Sequence, residues 1–227
     1  MPRPDAVARG NGAVEEMSTY LRDLLAKRRA QPRDDLLSHL IAARDGDARL
    51  TEDELLSTAL LLFFAGHETT VNLIGNAVLA LTRHPDQLTS VLAEPPLMAN
   101  AIEEVLRFDS PVQRTFRVAA EDFELGGARI RAGERVAALI GAANRDPRRF
   151  VDPDRLDVRR VDAKHHLSFG GAIHYCIGAP LARLEAEIAL RAVLPRLRLP
   201  EEEPVWRPNL VFRGLECLPV LISTTKD

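Results

Sequence analysis

The stretch FGGAIHYCIG, residues 169–178, sets a cysteine behind a histidine, a tyrosine and two adjacent glycines. The chain has only one other cysteine, Cys217. A lone thiol in so glycine-rich a turn admits several readings: a small buried hydrophobe, a nucleophile or a metal ligand. A zinc site could draw on His165, His166, His174 and Cys176, but their spacing, H-H-x7-H-x-C, matches no usual zinc pattern. A Cys-His nucleophile needs an activating base and a third orienting group, and no signature supplies them.

Composition narrows the field. The 227 residues are 46% hydrophobic, enough for one large domain or two small ones. A net charge of −3 and a pI near 6.1 argue against nucleic acid as the main partner. Two cysteines do not make a disulfide framework, which favours a reducing cytoplasm. The N-terminal residues lack the apolar core of a secretory signal, and ALLLFFAG (59–66) is too short to span a bilayer, so no membrane contact is expected.

Residues 1–13, rich in Pro, Gly and Arg, read as disordered. Val14, Met17, Leu21, Leu24 and Leu25 follow helical spacing up to about residue 29, and a short helix closed by Gly46 follows. A long helix then runs from an N-cap at Thr51, with Glu54 completing a capping box, to Pro85. It is apolar nearly all round, as a central buried helix should be. A further helix covers about 97–108 and stops before Pro111. Beyond it the texture alternates, with turns at Gly126-Gly127 and Ala132-Gly133, which predicts a small antiparallel sheet. A Pro/Asp/Arg-rich meander, the cysteine loop, an amphipathic helix from Ala179 and a C-terminal hairpin over 209–223 complete the chain. The fold class is mainly α with a small antiparallel sheet, α+β, and 14–227 reads as a single domain.

Three further clusters could carry chemistry. AGHETT (65–70) puts Glu68, Thr69 and Thr70 inside an apolar helix, where burying a polar group costs roughly 2–7 kcal/mol unless it is satisfied. A local kink at Gly66 with Thr hydroxyls bonded back along the helix is one reading. An acid–alcohol pair that relays protons to something bound beside the helix is the other. An H-E-x-x-H zinc motif fails, because position 71 is Val. EEVLR (103–107) sets Glu104 and Arg107 one turn apart, by itself an ordinary ion pair, and Arg114 and Arg117 read as surface charges. For Cys176 a fourth possibility then stands beside the others: an axial iron thiolate, which needs a deprotonated sulfur, a close approach and tuning hydrogen bonds.

In this order and spacing, FGGAIHYCIG, AGHETT and EEVLR resemble the haem-thiolate monooxygenases of the cytochrome P450 family, in its soluble bacterial form. The resemblance runs from about Val14 to Ile222 and covers the C-terminal part of that fold, the N-terminal part being absent. It makes 14–227 a haem-binding domain. It implies heme b (iron protoporphyrin IX), with Cys176 as thiolate ligand to the metal and Phe169 packed near the sulfur. His174 and Arg117 would contact propionates, Gly178 would let the next helix start close to the ring, and Gly170 and Ala65 would also bind the cofactor. Glu68 and Thr69 would deliver protons to oxygen, as the catalytic pair. Glu104 and Arg107 would pair with Arg155 to hold the meander and cysteine loop. The activity implied is insertion of one atom of O2 into a small organic substrate. Electrons would come ultimately from NAD(P)H through a ferredoxin-type donor docking near Arg183 and its basic neighbours. Ala172 stands where the family usually has Gly, and a positive φ there would cost roughly 1 kcal/mol. With the N-terminal part absent, the apolar face of the long helix is expected to be exposed. The alternative is a non-catalytic remnant that binds haem weakly or not at all.

Overall fold

The computed structural model describes residues 4–45, 48–200 and 202–222, which fall into two compact units, residues 1–67 and 68–227. In the first, α1 (Pro4–Ala30) is followed by α2 (Leu36–Ala42) and the paired strands β1 (Arg44–Asp45) and β2 (Ala48–Arg49). Then comes the start of α3 (Glu52–Arg83), the helix within which the two units divide. The disorder expected for 1–13 gives way to helix from Pro4; residues 1–3 lie outside the described set, as does Gly46. Pro4 suits a first helical turn, where its missing N–H costs nothing, and Lys27, Arg28 and Arg29 complement the dipole at the other end. Leu21, Leu56 and Ala59 form a small core joined by Met17, Leu37 and Leu60. Asp35 caps α2 by accepting the Ser38 N–H.

The capping box of α3 forms as its sequence predicts: Glu54 N donates to Thr51 Oγ1 at 3.3 Å, and Thr51 N donates to Glu54 Oε2 at 2.8 Å. Full burial of α3 does not follow. Leu61 is 64% exposed and Phe63 and Phe64 about half exposed, whereas Leu73, Ala77, Val78 and Leu81 are buried. Within the N-terminal half of α3, Leu55, Leu56 and Ala59 are buried, while Leu61, Phe63 and Phe64 are apolar yet uncovered.

In the second unit Pro85 does not simply end α3 but starts a further helix, α4 (Pro85–Ala93), which precedes α5 (Leu97–Phe108). Strand β3 (Arg114–Val118) pairs antiparallel with β6 (Arg135–Leu139), and β4 (Phe123–Leu125) pairs with β5 (Ala128–Ile130). Gly126 and Gly127 turn the β4–β5 hairpin at φ 60° and 79°, a conformation that side chains bearing a Cβ resist. A short α6 (Ile140–Ala143), the meander and α7 (Ala179–Val193) follow. The expected C-terminal hairpin is replaced by two separate pairings. β9 (Leu215–Cys217) joins β8 (Val205–Trp206), and β10 (Leu221–Ile222) joins β7 (Leu197–Arg198). Pro219 interrupts the run between them. Among the described residues the strands thus make five two-stranded antiparallel sheets, one in the first unit and four in the second.

One core organises this unit. It draws Leu73, Val78 and Leu81 from α3, Val91 from α4, Met98, Ile102 and Val105 from α5, Leu156 and Val158 from the meander, and Leu190 from α7. Each fully buried side chain of this kind contributes about 1.5–3 kcal/mol. No helix among the described residues is long and apolar enough to cross a membrane.

Candidate functional site

The inward face of α5 carries Glu104 and Arg107, and both side chains are 0% exposed. Arg107 Nε donates to Glu104 Oε2 at 2.8 Å, and its Nη2 to Oε1 at 2.9 Å. Its remaining N–H groups go to the carbonyls of Asn144 (2.9 Å), Pro153 (2.8 Å) and Arg155 (3.2 Å), so the whole guanidinium is satisfied. The second guanidinium on Glu104 is that of Arg160, whose Nε lies 3.1 Å from Oε1, and not that of Arg155. Arg155 is exposed and offers only its carbonyl, whereas the Arg160 side chain is 8% exposed. The Asp157 N–H also donates to Glu104, at 2.9 Å. What reads in the sequence as an ordinary ion pair is therefore the buried fastening of the meander to α5.

A second fastening, not visible in the sequence, is the fully buried Asn144 just beyond α6. Its Oδ1 accepts the Leu167 N–H at 2.7 Å, and its Nδ2 donates to Ser110 Oγ at 2.7 Å and Ser168 Oγ at 2.9 Å. Ser168 Oγ in turn donates to the Leu106 carbonyl at 2.6 Å. A third is Glu103, the neighbour of Glu104. It receives Arg183 Nε at 2.5 Å and Nη2 at 3.0 Å, and faces His166 Nε2 at 3.2 Å. Burial alone would raise the Glu103 carboxyl, but hydrogen bonds from His166 and Arg183 outweigh it and hold the carboxyl at about 2. The same pairing raises Arg183.

Between these fastenings and α7 hangs the cysteine loop. Gly170 turns it at φ 72°, where a Cβ would approach the His174 carbonyl to 3.3 Å. Ala172 follows at φ 51°, so the one non-glycine in the family's glycine position does sit in the left-handed region, at a cost of roughly 1 kcal/mol. Cys176 N donates to the Phe169 carbonyl at 2.9 Å, closing the loop, and Ala179 N donates to the Cys176 carbonyl at 3.2 Å as α7 begins. Gly178 caps that helix, and a Cβ there would lie 3.8 Å from Cys176 Sγ, an ordinary contact. Cys176 is exposed, and Ile173 and Ile177 beside it are 94% and 89% exposed. Water-facing isoleucines on a loop this firmly anchored are side chains waiting for apolar cover.

Of the sequence-predicted residues, Phe169, Gly170, His174, Cys176 and Gly178 thus share one loop, with His174 exposed on it. Glu68 and Arg117 are engaged elsewhere. Glu68 on α3 accepts Arg207 Nη1 at 2.5 Å and Asn72 Nδ2 at 3.4 Å, both on Oε1, so this carboxylate in an apolar stretch is ion-paired. The Arg207 partner lies far along the chain, and nothing in AGHETT announces it. Arg117 on β3 is exposed and donates to Thr115 Oγ1 at 3.0 Å and the Phe116 carbonyl at 2.8 Å. Thr69 is half-buried on α3, and α3 runs through Gly66 without a break. Ala65 belongs to the other compact unit and is exposed. Both ring nitrogens of His166 are used, Nδ1 by the Ser168 N–H at 3.1 Å and Nε2 by Glu103, which removes it from any zinc set. Among the described residues no three His, Cys, Asp or Glu side chains are grouped to hold a metal ion. A single soft thiol flanked by exposed isoleucines fits a flat apolar macrocycle whose metal needs one thiolate from the protein.

Comparison with known proteins agrees with that chemistry. The cytochrome P450 family model matches residues 7–95 and 89–213. Cytochrome P450 monooxygenase PikC of Streptomyces venezuelae is 49% identical over 224 residues, covering 96% of this chain and 54% of PikC. The biotin biosynthesis cytochrome P450 of Bacillus subtilis is 48% identical over 218 residues, covering 95% of this chain and 55% of that protein. The crystal structure of P450BioI in complex with an acyl carrier protein ligated to hexadec-9Z-enoic acid superposes with a TM-score of 0.92. It is 45% identical and covers 98% of this chain and 58% of that one. The Bacillus subtilis cytochrome P450 PksS superposes at 0.93 with 41% identity, covering 99% and 59%. The chain spans about half the length of the curated relatives it matches. With the cysteine loop, the buried Glu-Arg fastening and a family match over nearly its whole length, the chain belongs to the cytochrome P450 family.

Proposed function

We propose that this chain is the haem-holding part of a haem-thiolate monooxygenase, with Cys176 as proximal ligand and 14–227 acting as one haem-binding domain. The observation that carries the reading is the exposed Cys176, flanked by exposed Ile173 and Ile177, on a loop whose base is locked by buried polar networks. When bound, haem held by a thiolate supplies oxygen activation, since electron release from sulfur favours O–O cleavage. The protein's own residues then have separable tasks. Cys176 presents its sulfur beside the first turn of α7, where negative charge is favoured. The exposed Ile173 and Ile177 would give the macrocycle apolar cover on the side of the cysteine loop and exclude water there. His174, with Arg117, offers donors to its acidic side groups, and Gly170 and Gly178 keep the loop and helix start free of side chains.

Glu68 and Thr69 are the proposed proton-handling pair. Arg207 steadies Glu68 through Oε1, and Oε2 is the atom at which the carboxyl would hold and pass a proton. The Thr69 hydroxyl can both donate and accept, as a relay requires. The reaction proposed is insertion of one atom of O2 into a small organic substrate, with electrons ultimately from NAD(P)H through a ferredoxin-type donor.

The test is a haem titration of the purified chain, followed by reduction and exposure to carbon monoxide. A red-shifted thiolate-type Soret band, abolished in Cys176→Ser, is the expected result. No haem uptake, or a histidine-type spectrum unaffected by Cys176→Ser, overturns the reading and favours the remnant alternative. Thr69→Ala should leave the spectrum intact while oxygen consumption continues with less product; unchanged coupling removes Thr69 from the relay.

A further inference from the structure

Arg183 lies on α7 next to the cysteine loop, where a cation could be taken for part of a docking face. Its hydrogen bonds say otherwise. Nε and Nη2 form a two-pronged pair with Glu103 at 2.5 and 3.0 Å, and Nη1 reaches the Tyr175 hydroxyl at 3.4 Å. The guanidinium is also stacked on the Phe169 ring, 4.5 Å from its centroid. The Phe169 ring thus has three polar or aromatic neighbours. His166 stands 5.7 Å and Tyr175 6.4 Å from it, each centroid to centroid and tilted. Glu103 is the hub: one carboxylate holds both Arg183 and His166. Because His166 Nδ1 accepts the Ser168 N–H, the ring proton sits on Nε2 and is donated to Glu103. Phe169, in turn, is the residue whose carbonyl receives the Cys176 N–H.

We propose that Glu103 and Arg183 form a clamp on the Phe169 ring and, through the Phe169–Cys176 backbone hydrogen bond, set the position of the Cys176 sulfur. Arg183 is then a positioning residue and not a free cation for an electron donor. An acidic partner would have to pull it from Glu103, leaving a mostly buried carboxylate with His166 alone, and such a loss costs more than a surface pair returns. The consequence for the iron rests on the reading of Cys176 as its ligand; the clamp on the thiol does not.

The experiment uses Glu103→Gln and Arg183→Lys, the second keeping the charge while losing the two-pronged geometry and the flat stack. All variants carry Cys217→Ser, so that Cys176 is the only thiol. In the haem-free protein the rate of Cys176 alkylation by iodoacetamide is expected to change by about threefold or more in both variants, and Arg183→Lys should add nothing in a Phe169→Ala background. In the haem-loaded protein both variants should shift the ferric–ferrous midpoint potential and the carbon monoxide Soret position in the same direction. Unchanged alkylation rates in both variants overturn the clamp, as does an Arg183→Lys effect that persists undiminished without the Phe169 ring. If the parent chain shows no thiolate spectrum with haem, the functional reading fails, while the alkylation rates still decide the clamp.

Discussion

The Glu104–Arg107 fastening and the cysteine loop belong to the same compact unit, yet they are finished to different degrees. The first is closed: both side chains are 0% exposed, every Arg107 donor has a partner, and Glu104 is held from three directions. The second is open, with a bare thiol and two isoleucines about nine-tenths exposed. A charge inside a protein must be satisfied by the chain that buries it, because no later partner can reach it. An apolar loop face can await its cover, since exposure costs only surface free energy. The scaffold is thus self-sufficient where the cysteine loop is not.

That contrast can be broken most severely at Arg107. Arg107→Ala leaves Glu104 buried with Arg160 as its one guanidinium and the Asp157 N–H as its one backbone donor, and should cost about 3–5 kcal/mol in urea unfolding. A loss below about 1 kcal/mol would mean that the network is wet or loosely made. Next in size, Arg160→Ala should cost about 1–3 kcal/mol by removing a charged donor from a buried acceptor, while Arg155→Ala stays within about 0.5 kcal/mol. Equal losses from the two would restore Arg155 as the side-chain partner. Acid titration sharpens the comparison at its border. The Glu103 carboxyl is held at about 2, below its ordinary value of 4.5. Its contribution is therefore fully present above the ordinary value and is lost as pH falls towards 2. Glu103→Gln should flatten that acid limb in a pH series of thermal unfolding, and an unchanged limb would detach Glu103 from the stability of the loop. The smallest effect belongs to the open side. Ala172→Gly relieves a φ of 51° and should stabilise by at most about 0.5 kcal/mol, much of the relief being offset by the greater freedom of glycine when unfolded.

Much of the site was legible because its signals are local. The capping box from Thr51 to Glu54, the stop before Pro111, the turn at Gly126-Gly127 and the strained alanine at 172 each depend on residues within a few positions, and each forms as read. Glu104 and Arg107 were found as a pair, but not their burial, because i, i+3 spacing is the same on a wet helix face and on a dry one. Arg160 could not be told from Arg155, since both lie in one arginine-rich meander and only packing decides which side chain turns inward. Asn144 and Arg207 carried no motif at all, and their partners are distant in sequence.

By itself, then, the sequence determined the family, the iron-ligand candidate and the long helix α3 with α5 after it, because spacing and residue type act over short range. Only the tertiary structure decided which carboxylates are paired and by whom, that the C-terminal run splits into two strand pairings, and that Leu61, Phe63 and Phe64 of α3 meet water. Those outcomes depend on which faces find a partner, and burial is a property of the assembled chain that no residue carries alone.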